Sequence, residues 1–214
     1  MIKISVKGLA KFMTSSAAAQ RKVLQDYKFP DEDEPTAMRL YYGEAVDSIK
    51  AYHLRQLPLN WLREQADRIS QLASTVNGMS ATRLKNNVRG LRQYADNFGN
   101  RRFTILGDLR LALEFGSVKI TVVPDLHLRE GTKEKIVKLD FAKAQSDEEM
   151  VKVIVQSMFE AFRVNQGTIT PSSVLYLDVA RGDEYRGARV GSRLLTDIKA
   201  ACKNIEALWG TITK

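Results

Sequence analysis

The sequence predicts an α/β fold: a mixed sheet flanked by helices, with a helical N-terminal half. Three observations carry that expectation. Apolar residues recur at helical spacing through most of residues 1–100. From residue 103 the period shortens to the alternation of strands. After residue 141 a capped amphipathic helix, an apolar strand and a closing helix follow, the order of a strand–helix–strand unit packed on a sheet. At 214 residues the chain is expected to form one domain, with 1–100 as its helix-rich part and 101–214 as its sheet core.

Residues 3–6 read as a short strand or extended lead-in. A helix from Val6 to Tyr27 follows, with Leu9, Phe12 and Met13 at one-turn spacing. "FPDEDEP" ends it, because two prolines bracket four acids in an exposed loop. "TAMRLYYGEAVDSIKAYHLRQL" places Leu40, Val46 and Ile49 at helical spacing, and "LNWLREQADRISQLAST" puts Leu62, Ala66, Ile69 and Leu72 on one face. "SATRLKNNVRGLRQYADNF" repeats Leu84, Val88, Leu91 and Ala95 behind a cap at Ser80 or Thr82. Residues 102–128 read as two or three short strands, and "EKIVKLDFA" as another. Ser146 or Asp147 caps the next helix, Glu148 and Glu149 fill its first turn, and Gly167 marks its exit. "SSVLYLDVARGDEYRG" is a strand with a glycine turn, and "RVGSRLLTDIKAACKNIEALW" is the closing helix.

Composition narrows the function. Lys and Arg number 33 against 25 Asp and Glu, a net charge of +8, which favours a polyanionic partner, nucleic acid first. The single cysteine, Cys202, excludes an internal disulfide and any cysteine-rich metal centre, and two histidines are too few for a histidine cage. No apolar run reaches the length of a membrane span and the N-terminus shows no signal-peptide pattern, so a cytoplasmic protein without a membrane partner is expected. No phosphate-binding loop, nucleophile elbow or H-E-x-x-H motif is present. The most coherent basic stretch is Arg83, Lys85, Arg89 and Arg92, with Arg101 and Arg102 just beyond; Arg186, Arg189 and Arg193 form a second group. Both are candidate nucleic-acid-binding surfaces, and both are also patterns that a solvated helix face produces.

Four stretches together resemble the PD-(D/E)XK nuclease superfamily, in particular its RecB-type members. "SVKGLAKFM" offers Ser5, Leu9 and Phe12 as in the family's opening helix, but "SSAA" stands where a Cys-Pro is expected, so no iron–sulfur cluster is implied. "LYYGEAVDSIKAYH" supplies Gly43 and, as its acid, Glu44. "ITVVPDLHL" carries the Pro-Asp, with Asp125. In "SDEEMVKVIVQSMFEAF" Gln156 opens a Q-x-x-x-Y motif whose tyrosine is replaced by Glu160; read without the family, these are two exposed residues one helical turn apart.

The resemblance implies a restriction-endonuclease-like fold and a Mg²⁺ site built from Asp125, Asp140 and Glu44, with Lys138 or Lys143 as the catalytic cation. "IVKLDF" departs from the family. An acid, any residue and then lysine are expected there, whereas Lys138 precedes Asp140. Positions two apart in a strand share a face, so both side chains can point into the site that Asp125 faces. The exchange nevertheless moves each charge by about 6–7 Å along the strand, against a catalytic tolerance of about 0.5 Å. The reading that follows is a DNA-binding protein on a nuclease-like fold with a degenerate catalytic site. An active Mg²⁺-dependent DNA nuclease with a rearranged site is the first alternative, and a non-catalytic subunit that docks a protein partner is the second.

Overall fold

A computed structural model of the chain describes residues 1–30, 41–188 and 192–214. The acidic loop expected after Phe29 falls largely in 31–40, and Arg189 in 189–191, both outside the described residues. The fold is α/β, with helices flanking two mixed sheets and a helical N-terminal half.

The chain opens with β1 (Ile2–Ser5), then α1 (Val6–Thr14) and α2 (Ala17–Lys28). One helix was expected here. The break falls at Ser15 and Ser16, whose extended backbone interrupts the ladder. Ser5 caps α1 by accepting the Gly8 N–H at 3.0 Å. Three helices follow: α3 (Gly43–Leu54), α4 (Leu59–Thr75) and α5 (Gly78–Asn97). The last begins two residues before Ser80, with Asn77 rather than Ser80 or Thr82 at the cap position.

Four strands, not two or three, occupy the region that precedes the last strand of the hairpin: β2 (Thr104–Gly107), β3 (Leu111–Phe115), β4 (Val118–Val122) and β5 (Leu126–Glu130). That hairpin closes on β6 (Lys133–Asp140) through a two-residue turn, in which Gly131 takes φ 60°. Then come α6 (Glu148–Asn165), β7 (Val174–Asp178), β8 (Asp183–Arg186) and α7 (Ser192–Trp209). Asp147 caps α6, accepting the Met150 N–H at 2.9 Å.

The strands divide between a three-stranded sheet, β1-β4-β3, and a five-stranded sheet, β2-β5-β6-β7-β8. One mixed sheet was expected. The split arises because β4 finds its second partner in β1, which pairs with it in parallel. In the larger sheet β2, β5 and β6 run antiparallel, whereas β7 is parallel to β6 and is reached through α6.

Alternation along β6 and β7 sends apolar side chains to both sides of this sheet. Val137, Leu139, Leu175 and Leu177 pack on one side with Ala45, Leu62, Val88, Leu91 and Tyr94 of α3–α5. Ile136, Val174 and Tyr176 pack on the other with α1, α6, α7 and the smaller sheet. Sandwiched there, α6 is buried on nearly every side. No described helix is long and apolar enough to cross a membrane.

Candidate functional site

The parallel pair β6–β7 ends in two carboxylates. Asp140 and Asp178 are direct partners in the ladder, so they lie side by side on one face. Lys138 and Tyr176 are partners two positions earlier and share that face. The C-terminal ends of parallel strands are where open α/β sheets bind ligands, because the crossover helices leave that edge uncovered.

Asp125 sits just before β5, and its N–H donates to the Val137 carbonyl at 2.9 Å. That places it opposite Lys138. One carboxylate oxygen accepts from Lys138 Nζ at 3.0 Å, the other from the Leu139 N–H at 2.8 Å. Asp125, Lys138 and Asp140 therefore occupy one face of a mixed sheet. Within that face, however, Lys138 serves Asp125 and leaves Asp140 to other donors.

Asp140 is 8% exposed. One oxygen accepts from Ser146 Oγ at 2.7 Å and Tyr176 Oη at 2.8 Å. The other faces Lys7 Nζ at 3.7 Å and the Ala142 N–H at 3.4 Å. Burial alone pushes this carboxyl up; Lys7, the two hydroxyls and the N–H outweigh it and hold the group below its ordinary value. Tyr176 is raised in turn, by burial first and by the Asp140 charge second. Asp178, 1% exposed, accepts from Arg181 Nη1 at 2.9 Å and from the Arg181 N–H at 3.1 Å. Arg181 also donates to the Lys143 carbonyl at 2.8 Å, closing the loops that follow the two strands over the carboxylates.

Glu44 does not join this group. It lies in α3, against the opposite side of the sheet, and is paired with Arg83 at 2.7 Å. Among the described residues no three His, Cys, Asp or Glu side chains are grouped so as to hold a metal ion. Gln156 and Glu160 are buried rather than exposed: Gln156 Nε2 donates to Glu160 Oε1 at 3.0 Å, and Arg163 holds the other oxygen at 2.8 Å.

The basic residues take several different positions. Arg89 reaches the edge of the site, donating to the Phe141 carbonyl at 3.2 Å, where the Tyr42 ring stacks on Phe141 at 4.8 Å. Arg92 pairs with Asp67 at 2.7 Å. Arg101 is drawn inward: it grips both oxygens of Glu130 at 2.9 Å, bonds Glu184, and lies over the Phe103 ring at 4.8 Å. Arg186 also bonds Glu184. Lys85, Arg102 and Arg193 are exposed and make no ion pair with a described residue.

Sequence reasoning missed Lys7, Ser146, Tyr176, Asp178 and Arg181. A signal for Asp178 was present. "LDFA" at 139–142 and "LDVA" at 177–180 repeat one pattern, and these are the ends of the two parallel strands. Lys7 left no comparable trace, since only the docking of α1 brings it to Asp140.

Compared with known proteins, the chain matches no protein-family model and no curated protein.

Proposed function

We propose that the protein binds nucleic acid, DNA in the first place, through the basic rim at the ends of β6 and β7, and does not cleave it. The reading keeps the nuclease-like resemblance of the sequence and assigns its site a binding role. One observation carries it. All four carboxylate oxygens of Asp125 and Asp140 already accept from internal donors. Mg²⁺ needs such oxygens together with waters and phosphate oxygens, and this donor set does not fit it unless Lys138 leaves Asp125.

What remains is an excess of positive charge. Lys7, Lys138 and Arg181 each pair with one of Asp140, Asp125 and Asp178, which balances the three carboxylates, and two further cations stand at this edge: Arg89, which reaches the Phe141 carbonyl, and the exposed Lys143. With the carboxylates neutralised, a phosphate backbone crossing this edge meets net positive charge. Such contacts position nucleic acid without reading its sequence.

The test is binding and cleavage of labelled single- and double-stranded DNA by the full chain with Mg²⁺, Mn²⁺ or EDTA. Binding without cleavage is expected. About four phosphate contacts give a log–log salt slope near −3.6, so affinity falls roughly 150-fold between about 50 and 200 mM salt. Metal-dependent cleavage abolished by both Asp125→Ala and Asp140→Ala would replace this reading with an active nuclease. Absence of both binding and cleavage would replace it with a protein-docking subunit.

A further inference from the structure

The hairpin of α4 and α5 extends past the core that anchors its base. In α4 the buried side chains after Ala66 reduce to Ala73, and in α5 none is buried before Leu84. The free end, roughly residues 67–83, carries two of the six exposed large apolar side chains among the described residues, Leu72 at 51% and Met79 at 91%.

Its charge is as distinctive as its exposure. From Arg68 to Ala95 there is no acidic residue, while Arg68, Arg83, Lys85, Arg89 and Arg92 contribute five positive charges, against a net +8 for the whole chain. Arg83 and Arg92 are paired with Glu44 and Asp67. Arg68 and Lys85 are exposed and paired with no described residue.

The tip is also continuous with the basic rim. Arg89 touches the Phe141 carbonyl beside Asp140. Lys85 lies one turn before Arg89 on the same side of α5. The start of α5 at Gly78 is eleven residues from Arg89, about 16 Å along the axis. A backbone held at the rim can therefore follow α5 outward to the tip.

We propose that this hairpin end is a second nucleic-acid contact, in which Arg68 and Lys85 hold phosphates and Leu72 and Met79 pack against sugar and base edges. The proposal rests on the nucleic-acid reading above and deepens it. The charge decides the class of partner: a 28-residue run of sequence without an acid, in which Arg68 and Lys85 stay exposed after Asp67 and Glu44 have paired with Arg92 and Arg83, suits a polyanion. Exposed Leu and Met beside basic residues match the side chains that proteins press between base steps.

The experiment measures binding of the full chain to a labelled DNA duplex across a salt series. It compares wild type with Arg68→Glu/Lys85→Glu, Leu72→Ser/Met79→Ser and the rim variant Lys7→Glu/Lys143→Glu. The four tip positions and Lys143 are exposed, whereas Lys7 is half-buried beside Asp140; unchanged melting temperatures of the two tip variants confirm intact folds. The Arg68→Glu/Lys85→Glu chain is expected to bind at least tenfold more weakly, with the salt slope reduced by about two. Leu72→Ser/Met79→Ser is expected to lose roughly fivefold in affinity with the slope unchanged, because it removes no phosphate contact. If both tip variants bind like wild type while the rim variant weakens, the hairpin inference is overturned and the rim reading stands. If wild type itself does not bind, both fall.

Discussion

Replacing Arg101 with methionine separates a phosphate-binding arginine from a structural one. Its guanidinium bridges Glu130 and Glu184 with its side chain only 20% exposed, so little of it faces solvent. Burial pushes Glu130 up, but hydrogen bonds from Arg101 and Lys135 outweigh it and bring the carboxyl from 4.5 to about 2. That drop corresponds to roughly 3 kcal/mol. It is shared with Lys135, and Glu130 keeps 27% of its surface, so about 2 kcal/mol is assigned to Arg101 after screening. For a chain of this size the melting temperature should fall by about 4–8 °C. The sign with pH follows from the lowered carboxyl. The contribution is fully present above 4.5 and is lost as pH falls through about 2. Urea unfolding of wild type and Arg101→Met should therefore differ most at neutral pH and converge in strong acid. DNA affinity at neutral pH should stay within about twofold of wild type, since the side chain releases no counterion. Unchanged stability together with a clear loss of affinity would refute the reasoning and return Arg101 to the binding surface.

Two further outcomes are expected. His53 is buried against Tyr94 at 2.7 Å, and burial, then the Arg101 charge, lower its pKa from 6.5 to about 4. The unfolded chain takes up that proton first, so stability should fall as pH drops from 6.5 to 4, by up to roughly 3 kcal/mol; urea midpoints across that range should show the slope in wild type and lose it in His53→Gln. A methyl group at Gly90 meets Phe141 Cδ1 at 2.6 Å, so Gly90→Ala should displace the ring beside Asp140 and cost about 1–3 kcal/mol, read by thermal unfolding.

The expectation for Arg101 and the finding differ for an instructive reason. Next to Arg102, and after a helix rich in arginine, it reads as part of a basic patch. Glu130 and Glu184, its partners, stand 29 and 83 residues away in sequence. Glu44 shows the same limit: it stands where the resemblance places a metal-site acid, yet α3 packs on the other side of the sheet. Gln156 and Glu160 were legible as neighbours on a helix, but their burial was not, because it depends on α6 lying between two sheets.

Local chemistry was open to reading in the linear chain. Period-two alternation put Lys138 and Asp140 on one face, Asp125 fell at the entry of the hairpin strand, and Asp147 capped the helix that joins β6 to β7. These follow from backbone geometry, which repeats every few residues and needs no partner. The tertiary structure decided which strand lies beside β6, and so brought Tyr176 and Asp178 to Asp140. It docked α1 so that Lys7 reaches the same carboxylate, and it drew Arg101 inward while leaving Arg68 and Lys85 outside. Those choices belong to the burial of apolar faces between layers, a property of the whole chain and of no single stretch of it.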